Sequence, residues 1–200
     1  MHEIPPLQHK NRGTVLDVHH TILPPTSGIQ PDPAGLFARG RGPLAPWAFF
    51  GVLGPADRVI HSACHLFFGE FHKGLRDLHD LHALLTPMAA DAGHWQALVS
   101  RSIELGLALP VLDALEQCQR LYETAVPPSA VDALRRAATT PWPSQLRGWL
   151  FDHALRPAHV SAYSRSTRLA HWLTFVRSHW LRMPLPLLAY HLSHKFFVDR

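Results

Sequence analysis

Apolar and polar side chains alternate with period two over Thr14–Leu23. Val15, Asp17 and His19 fall on one face and Leu16, Val18 and His20 on the other, the spacing of a strand. A turn-rich stretch, PPTSGIQPDP, follows, and Asp32 before Pro33 predicts a capped short helix reaching about Ala38. The aromatic run Trp47–Leu53 predicts a second strand before Gly54-Pro55. From there the period lengthens. Ala56–Phe71 is apolar nearly all round, as in a buried helix, and Leu75, Leu78, Leu81 and Leu85 keep one stripe of the next. Ala92–Leu105 and Pro110–Tyr122 predict two further helices, punctuated by Gly106 and Pro127-Pro128. Ser129 is placed to cap Ala130–Ala138, and after the break TTPWPSQ three more helices are predicted, Gln145–Leu155, Arg165–Leu181 and Leu185–Phe197. No fixed-period repeat links them. The pattern divides the chain into 1–54, 55–125 and a helical annex, 126–200, and predicts a mainly α fold with a small β remnant (α+β).

Composition narrows the function classes. With 46% apolar and 17% charged residues among 200, the chain can bury a sizeable core and is not of disordered composition. Two cysteines exclude a disulfide scaffold and suit a reducing, cytoplasmic setting; the N-terminus lacks the apolar stretch of a secretory signal, and no apolar run is long enough to span a bilayer. The net charge of +4 is modest, and the arginines are scattered except in the last third, which argues against a nucleic-acid-binding stripe.

Few residues can carry chemistry. Asp17 stands between Leu16 and Val18, so its carboxylate projects away from theirs and is rigidly mounted for a divalent cation, magnesium by the hardness of oxygen. Acids also occupy solvated strand faces, and spacing alone leaves both readings open. His19 shares that face and is placed to meet a phosphate or orient a substrate. His61 and His65, four apart with His72 following at nearly the same angle, make half a zinc site. HSACH lacks the glutamate of the H-E-x-x-H motif, and zinc is the weaker expectation. The stronger has these histidines hydrogen-bonded to Asp77 or Asp80, with Arg76 and Asp80 as an i,i+4 ion pair and Cys64 and Cys118 as core thiols. In the tail Arg165, Arg168, Arg177 and Arg182 interleave with Trp172, Phe175, Trp180 and Leu181. Three occupants fit that face: an anionic membrane surface, a protein partner, or the chain's own core.

The run GTVLDVHHTILPPTSG, a Trp/Phe-rich stretch, and then LGPADRVIHSACHLFFGEFHKGLRDLHDLHALL resemble the uncharacterised nucleotidyltransferase family of bacteria, within the DNA polymerase β-like superfamily. The resemblance covers roughly residues 13–125, and LDVHH and RDLHDL carry most of it. It implies the C-terminal portion of a nucleotidyltransferase fold followed by a helical bundle. It also implies magnesium-dependent transfer of a nucleoside monophosphate from an NTP to an acceptor that no residue here selects. In that superfamily three carboxylates hold two magnesium ions; Asp17 matches the third, as catalytic residue and metal ligand. A substrate-contact role is implied for His65 or Arg76, on the helices beside the nucleotide cleft. The Gly-Ser turn and the Asp-x-Asp pair that supply the other two carboxylates do not occur before Asp17. The chain is therefore expected to be truncated by annotation, a remnant, or completed by another polypeptide, to be inactive alone, and to leave its strand with an unpaired edge. A second class stands beside this one, a non-catalytic helical interaction module, metal-binding or membrane-peripheral, in which Asp17 is structural.

Overall fold

A computed structural model describes residues 3–19, 21–38, 40, 51–140, 142–157, 159–184, 186–188 and 190. Two strands, β1 (Glu3–Gln8) and β2 (Val15–His19), form an antiparallel hairpin. Among the described residues the helices that follow are α1 (Pro33–Ala38), α2 (Pro55–Phe67), α3 (Gly74–Leu85), α4 (Ala92–Glu104), α5 (Ala108–Tyr122), α6 (Pro128–Ala137), α7 (Ser144–Ala154) and α8 (Arg165–Arg182). A 3₁₀ turn, Thr86–Ala90, joins α3 to α4. The fold is mainly α with a small β element, as the hydrophobic pattern predicts.

β1 is a departure from the sequence reading. Its EIPPLQ carries two prolines, which lack the N–H a central strand needs and are tolerated only at an edge. The register breaks between Ile4 and Leu7, where those prolines sit. β1 covers one edge of β2, and among the described residues no third strand covers the other. β2 is also shorter than predicted: beyond His19 the chain bends, Thr21 Oγ1 donates to the Leu23 carbonyl at 2.6 Å, and Pro24 follows. The predicted strand Trp47–Leu53 and helix Leu185–Phe197 fall largely outside the described residues.

The helix starts follow their local chemistry. Asp32 caps α1, its two carboxylate oxygens accepting from the Ala34 and Gly35 amides at 3.0 and 3.2 Å. Asp91 and Ser164 cap α4 and α8 in the same way. Ser129 does not cap α6. Pro128, with its φ preset for the first turn, starts that helix two residues earlier and takes Ser129 inside. α4 ends as the sequence predicts: Gly106 takes φ 69° and donates to the Ile103 carbonyl, while the Leu107 amide reaches back to Ser102 at 2.8 Å. α2 stops at Phe67, short of the predicted Phe71. The Gly69 backbone lies so close to the His65 carbonyl that a Cβ could not be accommodated. Phe71 takes the left-handed φ of 61°, held by its ring against Phe67 and Phe151.

α2 packs against α3, α4 and α5, and its Val59, Ile60, Ala63 and Phe67 are sealed from solvent. On α3, Leu78, Leu81 and Leu85 are buried as predicted; Leu75, in the first turn, is exposed, and its carbonyl accepts from the Tyr122 hydroxyl. α6 packs on α5 and α4, and α7 on α8. One cluster of buried residues runs through both the middle stretch and the annex, with Phe151 of α7 set edge-on to Phe67 of α2 at 5.0 Å.

Two buried charge groups tie the helices. Arg101 of α4 donates to Asp57 of α2 at 2.9 Å and pairs with Glu104 at 2.8 Å. Arg147 of α7 donates through Nε and Nη2 to Asp113 of α5 at 3.0 and 2.5 Å, while Arg177 of α8 donates to the Phe67 carbonyl and lies 3.9 Å from the same Asp113. Fixing Arg177 at the end of α2 sets where the last turn of α8 falls.

Candidate functional site

β2 delivers His19 to one wall of a cleft of about 430 Å³. The opposite wall is α2, whose His61, Cys64, His65 and Phe68 recur every three or four residues and so face one way. Thr21–Pro24 forms the floor, and Arg182, at the C-terminal end of α8, closes the side. That end of α8 is pinned to the loop after β2: Thr26 Oγ1 donates to the Arg182 carbonyl at 2.5 Å and Ser27 Oγ to the Leu181 carbonyl at 3.1 Å. Those carbonyls have no partner within their own helix, so side-chain donors from the loop suit them. A second cleft of about 330 Å³ adjoins the first, shares His65 and Arg182 with it, and adds Glu70, His72, Lys73 and Asp77.

The electrostatics follow from this crowding. Desolvation, then the neighbouring His65 and His19, hold His61 below the ordinary imidazole value, so it is neutral at pH 7. Burial pushes the Cys64 thiol far up, making it a poor nucleophile, and both cysteines are free. Half-buried Arg182 is lowered by desolvation and partly restored by Glu70, and it stays cationic.

The structure therefore brings His19 and His65 together. Asp17 lies in β2 two residues before His19; its side chain is outside the described groups. Arg76 does not line either cleft: it is exposed on α3, 3.5 Å from Asp77 and 3.9 Å from Asp80, the second being the predicted i,i+4 pair. Among the described residues no bond joins His61, His65 or His72 to Asp77 or Asp80. His72, beyond the end of α2, pairs with Glu70 at 3.0 Å, and His82 bonds to Thr124 at 2.8 Å. Arg182 is the site residue that sequence reasoning missed. It reads as one more arginine of a basic tail, and only the docking of α8 takes it 117 residues along the chain to meet His65.

Magnesium takes oxygen ligands, and the described side chains of the first cleft offer imidazole nitrogens, a guanidinium, a thiol and one hydroxyl. In the second cleft Glu70 and Asp77 are engaged by His72 and Arg76. No group of three or more ligating side chains forms among the described residues. These described side chains offer no set of oxygens for a magnesium ion, and their N–H donors and guanidinium suit an anion.

Residues 2–123 match the model of a family described as uncharacterised nucleotidyltransferase, and the chain belongs to that family. The match spans β1 through α5; α6, α7 and α8, and Arg182 with them, lie beyond it. No curated protein and no solved structure matches the chain. Among the described residues, no helix is long and apolar enough to cross a membrane.

Proposed function

We propose that the cleft between β2, α2 and the end of α8 receives the phosphates of an NTP, for transfer of its nucleoside monophosphate to an acceptor. The observation that carries this reading is the convergence of His19, His65 and Arg182 on one cleft in a chain of nucleotidyltransferase family. Arg182 supplies a permanent positive charge and a planar fork of N–H donors suited to phosphate oxygens. His19 and His65 donate ring N–H groups from opposite walls, and neutral His61 adds a hydrogen bond without charge. Arg76, outside both clefts, has no part in this binding.

Magnesium in this reading accompanies the nucleotide, and Asp17 is the one carboxylate of this chain proposed to face it. Superfamily chemistry uses more carboxylates than that, so these residues alone are expected to bind nucleotide without turning it over.

Calorimetric titration of the full chain with ATP, with and without magnesium, tests the proposal. Saturable binding is expected, weakened about tenfold by Arg182→Gln or His65→Ala, with the magnesium dependence lost in Asp17→Asn. Absence of binding, or binding indifferent to both Arg182→Gln and His65→Ala, refutes the cleft assignment.

A further inference from the structure

α8 docks on the core through a mixed polar and apolar side and leaves large apolar side chains outside. It buries Thr167, Thr174, Arg177, Ser178 and His179 with Ala170, packs Leu173 and Leu181 against the core, and exposes Leu169 (49%), Trp172 (59%) and Trp180 (41%). At 100° per residue, Leu169, Trp172, half-buried Val176 and Trp180 lie on one face, opposite Thr167, Ala170, Thr174, Arg177 and Ser178; Arg165 and Arg168 continue that face into the first turn, and His179 is buried beside it in the last. The buried polar side is explained inside the molecule: Ser164 bonds Thr167, Thr174 bonds the His171 carbonyl, and Arg177 reaches Phe67 and Asp113. The outer apolar side has no such account among the described residues.

Charge indicates what meets it. No Asp or Glu occurs between Asp152 and Asp199, a stretch holding five arginines and a lysine. Arg165 and Arg168 also occupy the N-terminal turn of α8, where the helix dipole disfavours cations and no acid stands in the first turn. An external anionic surface relieves that repulsion. Tryptophans flanked by arginines on one face of a helix too polar to span a bilayer suit the headgroup region.

We infer that the outer face of α8, Arg165–Arg168–Leu169–Trp172–Trp180, lays the protein on an anionic lipid surface. Of the described residues of α8, Arg182 alone lines the clefts, so the residues proposed to meet lipid are distinct from those proposed to bind nucleotide. The inference does not depend on what the cleft binds.

The test is co-sedimentation of the full chain with phosphatidylcholine vesicles and with phosphatidylcholine–phosphatidylserine vesicles, with tryptophan emission read in parallel. Expected are partitioning onto the phosphatidylserine vesicles, a blue shift, and release by salt. Arg165→Gln with Arg168→Gln reduces partitioning about 10- to 30-fold, and Trp172→Ser with Trp180→Ser by about tenfold or more, with the circular-dichroism spectrum unchanged in both. Equal binding to the two vesicle types, or none, overturns the inference. So does a dimer in sedimentation velocity that Trp172→Ser with Trp180→Ser dissolves, which would give this face to a second copy. Preferential retention of a single-stranded oligonucleotide over vesicles overturns it too.

Discussion

Asp113→Asn isolates the buried charge group that docks the annex. Asp113 is 1% exposed; burial raises its carboxyl from 3.8 to about 6, against the opposing pull of Arg147 and then Arg177. One of its oxygens, Oδ2, has no hydrogen-bond partner. Because the folded-state value is the higher one, between pH 3.8 and 6 the unfolded chain has released a proton that the folded chain keeps. The group therefore favours folding fully below pH 3.8, and that contribution is lost as pH rises through 6. The shift corresponds to about 3 kcal/mol. Urea unfolding of both proteins from pH 4 to pH 7 is the assay. The difference in stability between the native chain and the variant should change by about 2 kcal/mol across that window, the native chain losing more as pH rises. Taking the difference removes the opposite slope of His61, whose lowered value makes folding less favourable as pH falls below about 6.5. Parallel pH profiles for the two proteins would show that Asp113 is ionised throughout and would sink the reasoning.

Phe151→Ala removes a ring that is 1% exposed, contacts Phe67 and Phe71, and lies under the Arg177 guanidinium at 5.6 Å. A loss of about 3–5 kcal/mol is expected in one cooperative unfolding transition; a separate early transition of α7 and α8 would contradict a shared core. Arg101→Met leaves the buried Asp57 carboxylate without its cation and should cost about 3–5 kcal/mol by the same assay. A loss under about 1 kcal/mol would mean that Asp57 finds another partner or reaches water.

Local signals carried most of the helical layout, because they act over one or two turns. Asp32, Asp91, Gly106 and Ser164 mark helix ends through hydrogen bonds to amides or carbonyls a few residues away. The errors have equally local causes: Pro128 outranks Ser129 as a start, and Gly69 halts α2 before Phe71. β1 was hidden because two prolines mask a strand whose single partner lies across a turn.

The site was legible only in part. The family was readable from motifs close in sequence, and strand and helix periods state the faces on which His19 and His65 stand, but not that those faces meet in one cleft. Arg182 was not, and neither was the exclusion of Arg76 from the cleft. By itself the sequence determined the elements, the imidazoles and the excess of positive charge in the tail. The tertiary structure alone decided which arginine closes the cleft and which face of α8 is left outside, because both depend on Arg177, Asp113 and Phe67 meeting from three helices far apart along the chain.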